Sequence, residues 1–496
     1  MFRYLFCLII FWGIALATLA QSDTTVQVRS TLSLEDFFQT VLVNHPVARQ
    51  AYLLQPLAQQ ELRLARGSFD PTLSSNFSTK EYGGSPYYEI WNTQLDIPMW
   101  FPADLSIGYE QNRGQFINNE ESNTEDGLIS AGVSMPIGRG LFIDERRAAV
   151  RIAQQMQEMA EADQVNAINQ VLLDAGEAYW DWYYAHQAYE VTNEVAQLAE
   201  VRLRGVVQQV KKGDAAPFDS LTAYINYQER EVQRDQARLA DENARLTASV
   251  FVWQHQQDGF IPQDIRESTQ PIRPDSLFML SLNQLAELQQ QARTQHPDLI
   301  VLAGENQQLR ITERLNKEYL KPTVDLTYNF LAQSVWGNAP SLLSNGRFSE
   351  PAWWRNNYTA EIAFAFPLFL RQERAALAQT RLQLKQNTFE QGWVQRTIEN
   401  EVTMAYNTLF NLRGVIGRQQ KMVANYEQLL AGEQRRFRFG ESSLFLINTR
   451  ETELLDARIE LLDLQTQYEK ARLNLQYAAG VPNLAYETST SDQDVP

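Results

Sequence analysis

The sequence is poor in cysteine, glycine and positive charge. Cys7 is the only cysteine in 496 residues, which excludes a disulfide scaffold and a cysteine-ligated zinc site. Glycine, at 23 residues, falls below the usual ~7% of a chain, and its scarcity favours long helices. The 43 basic residues against 60 acidic ones give a net charge of −17, so a nucleic acid is not an expected partner.

Long hydrophobic runs are also missing, except at the N-terminus. An apolar run at 4–19 follows Arg3 and is followed by the small residue Ala20. This order is typical of a secretory signal peptide, 1–20, and the run is shorter than the ~20 residues of a spanning helix. A membrane anchor is the alternative. No later stretch reaches about eighteen consecutive apolar residues, so we do not expect hydrophobic helices to cross a membrane.

The chain repeats one long unit. Three landmarks occur twice in the same order: His45-Pro46 and His296-Pro297, Pro71-Thr72 and Pro322-Thr323, and Gly213 and Gly440. We therefore divide the chain after the signal peptide into a first repeat, 21–260, a second repeat, 261–480, and a flexible C-terminal tail, 481–496.

Each repeat is predicted to contain short helices, then strands, then a pair of long helices. The strands fall at about 71–136 and 322–368, and the helix pairs at 146–253 and 371–479. Helices of ~100 Å form a coiled-coil rod rather than a compact globule. In the last helix, apolar residues recur every seven positions, as in a left-handed coiled coil: Ile447, Leu454, Leu461, Tyr468 and Leu475. Aromatic residues in the first long helix are interpreted as inter-helix packing rather than a ligand site: Tyr179, Trp180, Trp182, Tyr183 and Tyr184.

Apolar and polar residues alternate in the segments between the helices. Four segments are assigned to the main sheet, 72–79, 128–135, 323–331 and 358–368, while an added hairpin at 91–112 has no assigned position. Segments of about ten residues with one apolar and one polar face suit a transmembrane β-barrel, with the loop 333–357 outside the cell. A soluble sheet with one buried face alternates in the same way. Aromatic residues near strand ends favour the barrel: Trp91, Trp100, Phe101, Trp336, Trp353, Trp354 and Tyr358.

Catalytic motifs are not found in the sequence. Its four histidines lack metal-ligand spacing, and His45 and His296 hold equivalent positions before proline, which indicates a backbone role. There is no phosphate-binding loop. We therefore expect neither an enzyme nor a bound metal or cofactor.

The order of these features resembles that of the TolC-like outer-membrane efflux factor family, over essentially all of the chain after residue 20. The motifs that carry the resemblance are the two His-Pro sites, residues 135–140 (Met-Pro-Ile-Gly-Arg-Gly), residues 364–369 (Phe-Ala-Phe-Pro-Leu-Phe), and the turns at 213–223 and 440–447. The resemblance implies an α+β membrane protein. It would be a homotrimer whose twelve-stranded transmembrane β-barrel, four strands from each copy, continues into a periplasmic α-helical coiled-coil tunnel.

The resemblance also implies a function and a location. The protein would be a passive exit duct in the outer membrane of a Gram-negative bacterium, surrounded by outer-membrane lipid. It would carry small molecules or proteins out of the cell in a tripartite efflux or type I secretion system, with an inner-membrane pump and a periplasmic adaptor as partners. The alternative is a secreted structural coiled-coil protein or adhesin with a soluble β-sheet.

The turns between the long helices are the candidate site. The resemblance places adaptor docking at these tips: Gly213, Asp214, Ala216, Pro217, Gly440, Glu441 and Ser443. Charge at the tunnel entrance would come from Asp219, Arg435 and Arg438. The arginines are interpreted as solvated helix-end charge; the alternative is that ion pairs among Glu441, Arg435, Arg436 and Arg438 hold the tips closed. The second turn departs from the family, because Leu446 and Thr449 stand where an aspartate ring is common. We therefore do not expect that ring here.

Overall fold

The structure is a computed structural model, and it describes residues 31–114, 116–117, 127–213, 216–256, 259–273, 282–333 and 357–481. The predicted signal peptide, nearly all of the predicted C-terminal tail and most of the predicted loop 333–357 lie outside these residues. The division into repeats at 260 stays a prediction.

The same order of short helices followed by a pair of long helices occurs twice along the chain. They are α1 Leu34–Asn44, α2 Pro46–Tyr52, α3 Leu54–Gly67, α4 Glu145–Lys212, α5 Pro217–Ser249, α6 Leu282–Gln295, α7 Pro297–Glu318, α8 Arg371–Arg438 and α9 Leu444–Ala478. Both α4 and α8 contain 68 residues, which makes each ~100 Å long. Among the described residues, no helix has both the length and the hydropathy that a membrane crossing requires.

The strands form one large sheet and two small ones. The large sheet contains β2 Thr72–Tyr82, β3 Ser85–Pro98, β4 Asp104–Arg113, β5 Leu128–Pro136, β9 Thr323–Gln333 and β10 Tyr358–Ala365. The small sheets pair β1 Thr31–Leu32 with β8 Gln270–Pro271, and β6 Trp253–Gln256 with β7 Gly259–Pro262.

The His-Pro landmarks are helix starts. His45 and His296 have extended backbones, with φ/ψ of −66°/132° and −62°/129°, and each precedes a proline at the first position of a helix. Proline disfavours the helical region for the residue before it and suits the first helical turn. The Asp298 N–H donates to Nδ1 of His296 at 3.3 Å. Burial lowers the pKa of both histidines, which keeps them neutral, so the predicted backbone role is confirmed.

The long helices form a layer that is four helices wide along its whole length. In the half away from the sheet, α4 packs on α5, α9 packs on α8, and α4 contacts α9. In the half next to the sheet, α3 packs on α4, α4 on α7, and α7 on α8. The lateral order is therefore α5-α4-α9-α8 in one half and α3-α4-α7-α8 in the other.

Aromatic residues of α4 fill the core where these two halves meet. Tyr179, Trp180 and Trp182 have no exposed surface and pack with Phe37 and Leu473. Their rings are nearly perpendicular, with centroids 5.3 Å apart for Tyr179 and Trp180, the edge-to-face arrangement that aromatic pairs prefer. The predicted packing role is confirmed. The seven-residue spacing of α9 is confirmed as well, since all of its predicted positions except the half-buried Leu461 are buried.

The added hairpin lies inside the large sheet. The strand order is β10-β9-β5-β4-β3-β2, and every neighbouring pair is antiparallel. The predicted hairpin corresponds to β3 and β4, which separate β2 from β5. This sheet therefore has six strands among the described residues, and the assignment of four strands to a barrel stays a prediction. Trp91 was also expected near a strand end but lies in the middle of β3, a strand of 14 residues.

The register gives the large sheet two distinct faces. On one, which we call the apolar face, Leu73 lies beside Leu95, then Ile107, Ala131 and Phe330. On the other, the polar face, the line from Thr72 crosses Asp96, Ser106, Gly132, Asn329 and Thr359. The alternation predicted for single strands thus continues across all six.

One buried hydroxyl ties α4 to the small sheet of β1 and β8. Tyr179 Oη lies 2.8 Å from the carbonyl oxygen of Leu32 and 2.7 Å from that of Ile272, and it accepts the Ile272 N–H at 2.9 Å. Burial raises the pKa of Tyr179 far above its usual value, so the hydroxyl stays protonated and able to donate.

We expect Tyr179→Phe to destabilise the helical layer by about 1–3 kcal/mol, because it removes the hydrogen bonds between the buried hydroxyl and the backbone of Leu32 and Ile272. Thermal unfolding followed by circular dichroism at 222 nm measures the effect. Tyr224→Phe, at an exposed tyrosine on α5, is the control and should change little. Equal midpoints for both variants would contradict the role given to Tyr179.

Candidate functional site

The first tip joins α4 to α5 through a left-handed glycine. Gly213 has φ of 85° and caps α4, with its N–H donating to Val210 O at 3.0 Å. A side chain at Gly213 would meet nothing within 4 Å, so the backbone angle, and not a lack of space, requires glycine here. Asp214 lies outside the described residues. Ala216 is extended and is followed by Pro217, the first residue of α5.

Asp219 is a helix cap at this tip. Its carboxylate accepts the Ala216 N–H at 3.2 Å, and a negative charge in the first helical turn also interacts favourably with the helix dipole. The carboxylate is half-buried and three residues into α5. The residue predicted to supply entrance charge therefore also holds the turn in shape.

The second tip has the same construction. Gly440 has φ of 79°, the Glu441 N–H donates to Arg436 O at 2.9 Å, and the Gly440 N–H donates to Phe437 O at 2.9 Å. These two bonds form a Schellman-type cap. Ser443 is extended and its hydroxyl accepts the Leu446 N–H at 3.4 Å, which starts α9.

Only part of the charge at the second tip is paired within the tip itself. Glu433 is buried, accepts a hydrogen bond from the Ser442 hydroxyl, and lies 3.7 Å from Arg436. Arg435 Nε donates to Ala431 O of its own helix at 3.2 Å. Within the described residues, neither Arg435 nor Arg438 forms an ion pair, and both are exposed, in agreement with the interpretation as solvated charge.

A buried polar contact joins the two helix hairpins near the tips. Arg202 of α4 forms a bidentate ion pair with Glu451 of α9, with one contact at 2.6 Å, and also donates to Asn448 Oδ1 at 3.0 Å. Arg230 of α5, only 4% exposed, donates to Thr452 Oγ1 at 2.5 Å. We call these two contacts the hairpin latch.

The latch was missed in the sequence because its members are ordinary charged residues on long helices. One signal was available. Arg202 stands eleven residues before Gly213, and Glu451 stands eleven residues after Gly440. If the two tips end at the same level along the rod, the two side chains lie at the same distance from them. Farther from the tips, Arg458 extends the link between hairpins, at 2.7 Å from Glu427 of α8 and 3.7 Å from Glu194 of α4.

A polar cavity lies where the polar face of the sheet meets the helices. Its volume is about 430 Å³, and Asp104, Arg139 and Asp325 are among its lining residues. Arg146 Nη2 is 2.9 Å from Asp104, and the Arg139 guanidinium stacks 3.7 Å from the centre of the Tyr319 ring. Burial, together with a hydrogen bond to Glu145, raises the pKa of Tyr319 to about 12.

Acidic side chains dominate the polar face above this cavity. By register, the face carries Asp96, Asp104, Glu110, Asp325 and Glu361. Along the described strands, the polar face carries no basic residue between the bulge at Lys80 and the strand ends next to the helices. Across the described part of the chain, no group of three or more metal-ligating side chains is placed to hold a metal ion.

Comparison with known proteins gives a family match for the C-terminal part of the chain. The model of the outer membrane efflux protein family matches residues 288–481. No curated protein matches the chain.

Solved structures match this chain over most of its length. The CmeC outer membrane channel of Campylobacter jejuni is 14% identical, with a TM-score of 0.63 over 90% of this chain and 85% of that one. A membrane protein from Pseudomonas aeruginosa is 15% identical, with a TM-score of 0.64 over 90% and 92%. The MtrE outer membrane channel of Neisseria gonorrhoeae is 15% identical, with a TM-score of 0.60 over 93% and 94%. At these identities the likeness shows a shared fold.

We expect Arg202→Ala to loosen the tips of the helical layer, because Glu451 would be left mostly buried without its partner, at a cost of about 3 kcal/mol. Hydrogen exchange of the segments 196–213 and 440–455 should become at least tenfold faster. Arg204→Ala removes a solvated arginine two residues away, paired only within α4, and should leave exchange unchanged. Unchanged protection in Arg202→Ala would contradict the latch.

Proposed function

We propose that the protein is the passive outer-membrane exit duct of a tripartite efflux or type I secretion system. The observation that carries this proposal is a two-faced sheet joined directly to a helical layer ~100 Å long. The sheet would span the outer membrane as part of a β-barrel and the helices would cross the periplasm as a tunnel. Small molecules or proteins would leave through the interior that the polar face lines.

The exposure of the apolar face favours a membrane sheet over a soluble one. Leu73, Ile362 and Phe364 are each about 70% exposed, whereas a soluble sheet buries its apolar face against a second layer. A continuous apolar surface of this kind requires a cover, and lipid provides one over strands of about ten residues. The alternative of a secreted adhesin with a soluble sheet is therefore not favoured.

Both edges of the helical layer support assembly with further copies. On α5, apolar residues recur every seven positions and all are exposed: Phe218, Ile225, Val232, Leu239 and Leu246. On the half of α8 away from the sheet, Phe410, Met422 and Leu429 are also exposed. A seven-residue apolar seam is the packing surface of a coiled coil. We assign it to contact between α5 of one copy and α8 of the next, in a homotrimer.

The helix tips are the part of the duct that can meet its periplasmic partners. The adaptor would dock on the turns built around Gly213, Ala216, Pro217, Gly440 and Ser443, together with Asp214 and Glu441, and an inner-membrane pump would supply the cargo. Asp219, Arg435 and Arg438 would present charge at the entrance. Opening would require the hairpin latch to separate.

We expect Leu239→Glu to abolish the trimer, because it places a charge in the α5 seam. Native-like gels without heating should show a detergent-stable trimer for the unchanged protein and a monomer for this variant. Ala240→Glu, at an exposed neighbouring position off the seam, is the control and should keep the trimer. A periplasmic soluble monomer in the unchanged protein would overturn the proposed function.

Cysteines at Ala216 and Ser443 should crosslink to the periplasmic adaptor that co-purifies with an inner-membrane pump. The matched control is Thr408→Cys, an exposed position on α8 about 48 Å from the second tip at 1.5 Å per residue. Crosslinks at the tips and not at the control are the expected result. Equal crosslinking at all three positions would contradict docking at the tips.

A further inference from the structure

The hairpin β3–β4 is an integral part of the large sheet. β3 pairs with β2 from Thr72 to Tyr82, with one bulge, and β4 pairs with β5 from Asp104 to Glu110. Because the hairpin separates β2 from β5, a barrel built only from the other four strands would need a different pairing. The observed pairing leaves β2 and β10 as the two edges.

Both faces of the hairpin continue those of its neighbours. On the apolar face, Leu95 lies between Leu73 and Ile107, and Ile97 lies beside Leu105. On the polar face, Gln94 and Asp96 lie beside Gly108 and Ser106. A one-residue shift in pairing would move every side chain of the hairpin to the opposite face of the sheet. In a hairpin folded onto the outside of a barrel, nothing would select against such a shift.

The stagger of the six strands is that of a barrel. Following the paired residues across the sheet from Thr72, at the helix-side end of β2, leads to Thr359 of β10. Thr359 is six residues from Ala365, which is at the helix-side end of β10. Six residues over the five pairings that join these strands is about 1.2 residues per pairing. With ~3.3 Å per residue and ~4.8 Å between strands, this corresponds to a tilt of ~40°, within the range of outer-membrane barrels.

The edges are suited to a second copy of the same chain. Every residue of β10 is exposed, as is nearly all of β2. An open edge cannot remain unpaired in lipid, since its N–H and C=O groups would lack partners. Six is an even number, so β2 of one copy runs antiparallel to β10 of the next and continues the pattern. Such a head-to-tail contact closes into a ring.

The width of the sheet also matches the width of the helical layer. Four helices ~9 Å apart span ~36 Å, and six strands ~4.8 Å apart with a ~40° tilt span ~37 Å. Four strands would span only ~25 Å by the same arithmetic. With six strands, each copy covers the same arc in the sheet as in the helices.

We propose that all six strands of each copy enter one closed barrel, with β2 of one copy paired to β10 of the next. The inference rests on the proposed trimeric duct, and it gives that duct eighteen strands rather than the twelve implied by the family resemblance. Because barrel diameter grows roughly in proportion to strand number, the exit would be about 1.5 times wider than with twelve.

The test asks whether the hairpin spans the membrane within the intact trimer. Single cysteines carrying a fluorophore are placed at Leu95 and Ile107 on the apolar face, and at Gln94 and Ser106 on the polar face. Lipid-borne quenchers and water-soluble maleimides then report their surroundings. Leu326 and Thr327 of β9, which belong to the barrel under either strand count, are the matched controls.

We expect Leu95 and Ile107 to be quenched as strongly as Leu326, and Gln94 and Ser106 to react with maleimide as Thr327 does. A disulfide between cysteines at Leu105 and Val133, which are paired in the register, should form within each copy of the trimer. Deletion of 85–113 should leave a trimer with a narrower barrel, since β2 would then reach β5 through the remaining loop.

Two results would overturn the inference and are distinguishable. If Leu95 and Ile107 react with water-soluble maleimide while Leu326 stays in lipid, the duct stands but the hairpin lies outside a twelve-stranded barrel. If Leu326 is itself exposed to water, or no trimer forms, the proposed function fails as well. The labelling and disulfide results decide the strand count even if the deletion variant does not fold.

Discussion

The need of every backbone N–H and C=O group for a partner governs the architecture of this protein. Inside the sheet, five antiparallel pairings satisfy the strands, but β2 and β10 have one open side each. Water could solvate those edges, whereas lipid cannot. In the proposed duct the exposed apolar face lies in lipid, so the edges would need further strands, and a second copy would supply strands of the right direction. The proposed oligomer would then follow from the hydrogen-bond requirement of the backbone.

The helical layer meets the same requirement differently. Each helix satisfies its own backbone, so its edges need only side-chain packing, which the seven-residue seam of α5 offers. Polar contacts between the hairpins lie toward the tips, at Arg202, Arg230 and Arg458, and also beside the aromatic core, where Lys470 of α9 lies 2.6 Å from Asp181 of α4. The buried aromatic residues around Trp180 add apolar packing only at that second place. The contacts at the tips could therefore separate without disturbing the aromatic core.

Much of the fold could be predicted from the sequence, because its signals are local or repeated. Proline after His45 and His296 marks helix starts, glycine at 213 and 440 marks tips, and alternation marks strands. The position of the hairpin β3–β4 could not be predicted, since strand order depends on pairing between distant segments and alternation looks the same in any order. Arg202 and Glu451 were missed because an ion pair across 249 residues of sequence has no local pattern.

The equal distances of Arg202 and Glu451 from their tip glycines have a consequence for how the length of the rod can change. Seven residues inserted into α4 alone would move its tip outward and carry Arg202 away from Glu451. The seam and the latch stay in register only if α4, α5, α8 and α9 change together, by whole heptads. The length of the helical rod can therefore change only in steps of ~10.5 Å, and each step requires an insertion in all four helices. The distance that the rod spans is for this reason fixed closely by the sequence.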